Sequence, residues 1–113
     1  MVRLYGIKNC DSVKKAIKFL KSNAIDYDLV DFKSEPVDCD IIKPWLEQVE
    51  MKTLFNTRGT TYRTLKLKAL DLKEEDQLMW LCRENLLIKR PVLERDGKIT
   101  VGFDQKNYEN MFA

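Results

Sequence analysis

The first third of the chain has the pattern of a strand, an amphipathic helix and a second strand. Residues 2–7 form a short apolar run, and residues 25–29 alternate apolar with acidic side chains, as strands do. Between them, apolar residues recur at helical spacing: Val13, Ala16, Ile17 and Leu20. We predict a helix from about Asp11 to Ser22, with Asn23 as its left-handed stop. Strands joined by such a helix pair in parallel, so the chain is restricted to a helix-covered sheet.

The C-terminal part carries the strongest hairpin signal. In "PVLERDGKITVGF", two alternating runs flank Asp96 and Gly97, a pair typical of a two-residue turn. Asp104 then precedes a helical pattern that contains Tyr108, and we expect its carboxylate to cap that helix. A hairpin added to the parallel unit predicts a mixed sheet of four strands in the order β-α-β, then β-β-α.

The middle of the chain, about residues 36–87, is mostly helical by pattern. Asp71 and Glu74 form a predicted capping box for its last long helix. Pro44 predicts a kink or a restart in an earlier helix, because proline lacks an amide donor. The segment "FNTRGTTYRTL" has no helical face and is predicted to be a loop. We therefore expect one domain over residues 1–113, with a helical insertion.

The charge balance and apolar runs exclude several kinds of partner. The chain has 20 basic and 18 acidic residues, a net charge of +2, which is far from the basic excess of a dedicated nucleic-acid binder. No apolar run approaches the roughly 18 residues of a membrane span, and the N-terminus has no signal-peptide pattern. We expect a soluble, cytoplasmic protein that binds neither nucleic acid nor membranes directly.

The cysteines are Cys10, Cys39 and Cys82, an odd number at wide spacings. This pattern fits a reducing compartment better than a disulfide framework, so we expect no disulfide. Because the chain has no histidine and no CxxC motif, we expect no metal site. Cys39 and Cys82 are expected to be structural residues.

Cys10 lies where the first strand ends and the helix begins. Backbone amides at Asp11 and Ser12 would point toward its sulfur, and Lys8 would add positive charge. The positive end of a helix favours a thiolate, which is the nucleophilic form, whereas the Asp11 carboxylate disfavours it. We predict a reactive thiol at Cys10; the alternative is a cysteine that fills a gap in the core.

Three segments in this order, "YGIKNCDSVKKA", "NTRGTTYR" and "LIKRPVLERDGKITVGF", resemble the arsenate reductase and Spx-like (ArsC/Spx) family, and most closely its YffB-type branch. The resemblance covers essentially the whole chain. It implies an α/β, thioredoxin-like fold with a helical insertion, in agreement with the predicted element order.

The resemblance also implies roles for particular residues. The catalytic residues would be Cys10, as nucleophile, and Arg90, as the contact to an oxyanion or sulfur-bound substrate. Pro91 would be the cis-proline that faces the active cysteine in thioredoxin-like folds. Arg58 is a candidate second anion contact, with a solvated loop arginine as the alternative. Together with Lys8, Asp11 and Ser12, these two form the predicted substrate-binding set.

Two departures from the family pattern reduce the number of functions that the resemblance allows. Arsenate reductases of this type supply a further arginine after the hairpin, and the corresponding position here is Gly102, which argues against arsenate as the substrate. Many Spx-like regulators carry a CxxC switch, but the position three after Cys10 is Val13.

The resemblance then favours a monothiol reductase that binds no cofactor. Glutathione, as co-substrate, or a glutaredoxin-like thiol donor would resolve the adduct on Cys10. The alternative is a regulator that docks, like Spx, on the C-terminal domain of the RNA polymerase α subunit.

Overall fold

The chain forms two compact units, and the computed structural model describes all residues from 1 to 113. One unit comprises Met1–Glu35 and Arg90–Ala113, and the other comprises Pro36–Lys89. In chain order, the strands and helices are β1 Val2–Gly6, α1 Asp11–Ser22, β2 Tyr27–Asp31, α2 Cys39–Leu46, α3 Met51–Leu54, α4 Thr60–Thr64, α5 Glu74–Arg83, β3 Val92–Arg95, β4 Lys98–Val101 and α6 Gln105–Met111. None of the helices has the length and apolar character that a membrane span requires.

The first unit contains a mixed four-stranded sheet in the order β2-β1-β3-β4. β1 pairs in parallel with β2 and antiparallel with β3, and β3 pairs antiparallel with β4. Asp96 and Gly97 join β3 to β4 with positive φ angles of 52° and 80°, the backbone of a tight hairpin turn. The predicted mixed sheet and its thioredoxin-like arrangement are confirmed.

One face of the sheet packs against α1 and α6. Leu4 lies opposite Leu93 in the β1–β3 register, and both side chains are buried with a cluster from the two helices. The buried helical members of that cluster are Val13, Ala16, Phe19, Leu20 and Tyr108. The helix α1 has the predicted bounds. Its predicted left-handed stop is wrong by one residue, because Asn23 has φ −105° and Ala24 has φ 54°.

The helical unit differs from the sequence prediction at two places. At Pro44, where a kink or a restart was predicted, the proline lies inside α2, so no helix restarts there. The predicted loop contains α4, in which Tyr62 packs edge-on against Phe55 at a ring separation of 6.0 Å. Asp71 has a left-handed φ of 48° and does not cap α5, whose N-cap is Lys73. Tertiary packing overrides the weak local pattern in these segments.

Tyr108 leads to a stability prediction. Its side chain is fully buried among aromatic rings, and its hydroxyl has no hydrogen-bond partner. Because a buried hydroxyl without a partner costs free energy, we expect Tyr108→Phe to raise the free energy of unfolding by about 0 to 2 kcal/mol. Urea unfolding of both proteins measures this difference. The half-buried Tyr27, replaced in the same way, is the control, and a loss of more than about 1 kcal/mol in Tyr108→Phe would contradict the expectation.

The same substitution has a predicted pH dependence. Burial raises the pKa of the Tyr108 hydroxyl well above its usual value, so the folded protein keeps this group protonated. Its contribution to stability is complete below the unfolded pKa of about 10 and is lost as the pH rises through the folded pKa. The difference in stability between Tyr108→Phe and the wild type should therefore grow above about pH 10.

Candidate active site

Cys10 is the N-cap residue of α1. Its backbone is extended, with φ −140° and ψ 125°, and its carbonyl accepts a hydrogen bond from the Lys14 amide at 2.9 Å. The thiol is half-buried, packs at the edge of the core cluster and takes part in no disulfide. No side chain caps the first turn of α1 by a hydrogen bond. The start of the helix is thus available to stabilise negative charge near the sulfur.

A glycine fixes how closely this helix start approaches the sheet. A Cβ atom on Gly6, the last residue of β1, would lie 2.6 Å from Cγ2 of Val13. No real Cβ contact is that short, so only glycine permits the observed approach. The first turn of α1, which follows Cys10, is therefore packed directly on the end of β1 through Val13.

Strand pairing brings Arg90 and Pro91 to the same end of the sheet as Cys10. Tyr5 near the end of β1 lies opposite Val92 at the start of β3. Arg90 and Pro91 come immediately before Val92, and their peptide bond is cis, as the resemblance implied. Arg90 is half-buried and Pro91 is buried. This end of the sheet therefore carries the candidate nucleophile and a partly buried cation on adjacent connections.

The other predicted residues of this unit lie near Cys10 along the chain. Lys8 and Asp11 are exposed, and Ser12 is half-buried in the first turn of α1. Neither Lys8 nor Asp11 forms a salt bridge. Both are thus free to contact a bound molecule.

Arg58 belongs to the helical unit. Its side chain is exposed, its amide donates to Asn56 Oδ1 at 3.1 Å, and its carbonyl accepts from Arg63 Nη1 at 3.0 Å. Its backbone is therefore fixed within that unit, while its guanidinium faces solvent.

The expectation that the cysteines form no disulfide is wrong. Cys39 and Cys82 are joined by a disulfide, with their Cα atoms 5.2 Å apart. They are 43 residues apart in sequence, and the packing of α2 on α5 brings them together. Spacing along the sequence carries no signal for this pairing, which depends on how two helices pack. Cys10 is consequently the one free cysteine.

A mixed sheet in the order β2-β1-β3-β4, with α1 and α6 packed on one of its faces, defines a thioredoxin-like α/β fold. The chain belongs to the ArsC family, whose model matches residues 5–111.

Known relatives include proteins of solved structure and a transcriptional regulator. The structure of the YFFB (PA3664) protein superposes with a TM-score of 0.92 at 35% identity and covers both chains completely. A possible arsenate reductase from Streptococcus mutans UA159 superposes with a TM-score of 0.83 at 35% identity, over 100% of this chain and 98% of that one. The global transcriptional regulator Spx of Lactiplantibacillus plantarum is 26% identical over 93% of this chain and 81% of its own.

Proposed function

We propose that the protein is a glutathione-dependent thiol-disulfide oxidoreductase with Cys10 as its single nucleophile. One observation carries the proposal: Cys10 is a free, half-buried thiol at the start of a 12-residue helix, on the sheet end that also holds Arg90. A gap-filling cysteine has no need of such a position. Membership of the ArsC family supports the same chemistry.

The proposed reaction has two steps. The Cys10 thiolate attacks a mixed disulfide between the substrate and glutathione, forms a Cys10–glutathione disulfide and releases the substrate thiolate. A second glutathione thiolate then attacks this adduct, releases oxidised glutathione and regenerates the Cys10 thiolate. No electrons or atoms are left over, and no bound cofactor is required. A glutaredoxin-like protein thiol could replace the second glutathione.

Charged residues are proposed to hold glutathione rather than to react. Arg90 would donate charge-assisted hydrogen bonds to a glutathione carboxylate. The anion contact at Arg58, in the helical unit, stays a prediction. The Ser12 amide and hydroxyl, and the Lys8 ammonium, would contact the same molecule, and Asp11 would accept from its amino group. Pro91 would pack beside the bound disulfide. We place this reaction in the cytoplasm, where the glutathione pool is largely reduced.

Adduct formation tests the proposal directly. The protein is incubated with a glutathionylated peptide, quenched with acid and digested, and the peptides are analysed by mass spectrometry. We expect glutathione on Cys10, and its removal when reduced glutathione is added. Absence of the adduct at every substrate concentration would refute the proposed reaction.

Arg90→Ala tests the anion contact. If Arg90 makes one charge-assisted hydrogen bond to glutathione, kcat/KM should fall by about 10- to 150-fold, equivalent to 1.5 to 3 kcal/mol. Lys89→Ala is the matched control, because it removes an exposed positive charge from the adjacent residue. An equal loss of kcat/KM in both variants would mean that any positive charge at this place has the effect, without a specific contact. An unchanged kcat/KM in Arg90→Ala would mean that the arginine has a structural role.

A second candidate function is transcriptional regulation. The similarity to the global regulator Spx over 93% of this chain favours it. Such a protein would bind the C-terminal domain of the RNA polymerase α subunit without any turnover. The test is a pull-down of the purified α subunit domain at micromolar protein, with wild type and Cys10→Ser. Binding of the domain by both proteins would support the regulator, and no binding would count against it.

A further inference from the structure

The helical unit contains a second sulfur pair that the proposed transfer reaction does not use. Cys39 is the first residue of α2, and Cys82 lies in the last turn of α5. Their disulfide is the only covalent connection between these two helices other than the chain itself. The bond therefore limits how far the start of α2 can move relative to α5.

Both sulfur-bearing residues are accessible in part. Cys39 and Cys82 are half-buried, whereas the neighbouring Ile42 and Leu81 are completely buried. A disulfide exchanges when a thiolate reaches one of its sulfur atoms, so the partial exposure of both residues favours reduction in the folded protein.

Local charges indicate which reductant to use as a probe. Asp38 and Asp40 flank Cys39, and both are exposed. Their carboxylates repel an anionic thiol such as glutathione. An uncharged dithiol, such as dithiothreitol, avoids that repulsion and is the better probe.

Asn85 holds the same junction by hydrogen bonds that do not depend on the disulfide. Its side-chain amide donates to the carbonyls of Val37 and Leu81, each at 3.0 Å. Its side-chain oxygen accepts from the Val37 amide at 2.7 Å. The residues preceding α2 thus remain attached to the end of α5 when the disulfide is broken, which allows reduction without unfolding.

We propose that Cys39–Cys82 is a second redox-active site, a dithiol–disulfide pair that exchanges with dithiol reductants and controls the mobility of the start of α2. Reduction transfers two electrons and two protons from the dithiol: the bond between the two sulfur atoms breaks, two thiols form, and the reductant becomes a cyclic disulfide. Oxidation by a disulfide reverses the step. This site does not rest on the proposed reaction of Cys10.

The test uses oxidised Cys10→Ser protein, which contains only the pair and cannot reshuffle its disulfide. Under native conditions we expect no titratable thiol before dithiothreitol, two after it, and none after dithiothreitol is removed and the uncharged disulfide bis(2-hydroxyethyl) disulfide is added in excess. Hydrogen exchange of the α2 amides should accelerate by about tenfold or more on reduction, while that of the α1 amides stays unchanged. The melting temperature should fall by about 10 °C.

The matched control replaces Cys39 and Cys82 with serine in the same Cys10→Ser background. It should show the fast α2 exchange of the reduced pair and no response to dithiothreitol. Three results would each overturn the proposal. They are reduction of the pair only in denaturant, two thiols that never pair again, and a loss of exchange protection throughout the helical unit on reduction. These measurements on the pair itself remain decisive if the control variant does not fold.

Discussion

Replacement of Cys10 by serine is expected to abolish glutathione transfer. The serine hydroxyl is not ionised near neutral pH and cannot form a disulfide, so neither step of the proposed reaction can occur. We expect kcat/KM to fall by about 10³-fold or more, measured by following oxidised glutathione with glutathione reductase and NADPH. Turnover retained in this variant would end the monothiol mechanism.

Two controls separate chemistry from folding. The Cys39→Ser/Cys82→Ser variant should retain transfer activity, since Cys10 is the free cysteine. The free energy of unfolding of Cys10→Ser should stay within about 1 kcal/mol of wild type, because a half-buried thiol is exchanged for a group of similar size. If Cys10→Ser were much less stable, its loss of activity would not separate chemistry from folding. Adduct formation on the wild-type protein would then be the deciding measurement.

Asn85→Ala is expected to cause the largest loss of stability among the polar substitutions considered. Asn85 is the only buried polar residue, and its side chain satisfies both backbone groups of Val37 and the carbonyl of Leu81. Removing the side chain leaves these partly buried groups without that partner. We expect the free energy of unfolding to fall by about 3 kcal/mol, measured by urea titration of the oxidised protein.

The matched control is Asn110→Ala. Asn110 is exposed in α6, and its replacement should change the free energy of unfolding by no more than about 0.5 kcal/mol. If Asn85→Ala were equally mild, the hydrogen bonds to Val37 and Leu81 would not stabilise the junction, and the reduced pair would lack its non-covalent support.

Short-range patterns predicted much of the sheet-containing unit. The spacing of Val13, Ala16 and Leu20 predicted α1 and its bounds, because one face of that helix packs on the sheet. Asp96 and Gly97 predicted the hairpin, because both adopt the positive φ angles that a tight turn requires. In each case the signal and the structure it forms lie within about a dozen residues of chain.

The helical unit depends on contacts that short-range patterns do not carry. α4 forms in a segment rich in threonine, a weak helix former, where Tyr62 packs on Phe55. Asn85 reaches Val37 across 48 residues of chain, and Cys39 reaches Cys82 across 43. At the candidate site, the sequence indicated Cys10 through its position before a helix, whereas the assignment of Arg90 rested on family resemblance.

The backbone at Gly102 limits which side chains can occupy this position. Gly102 has a φ of 82°, and its amide donates to the Pro91 carbonyl at 2.8 Å. Family resemblance places an arginine of arsenate reductases at this position, but a side chain there would have to adopt a left-handed backbone, at a cost of about 1 to 2 kcal/mol. An arginine at position 102 would therefore occupy a backbone conformation that glycine adopts without that cost. The turn after β4 thus disfavours an arginine contact here without excluding it, since Ala24 and Asp71 adopt left-handed φ angles of 54° and 48° elsewhere in the chain.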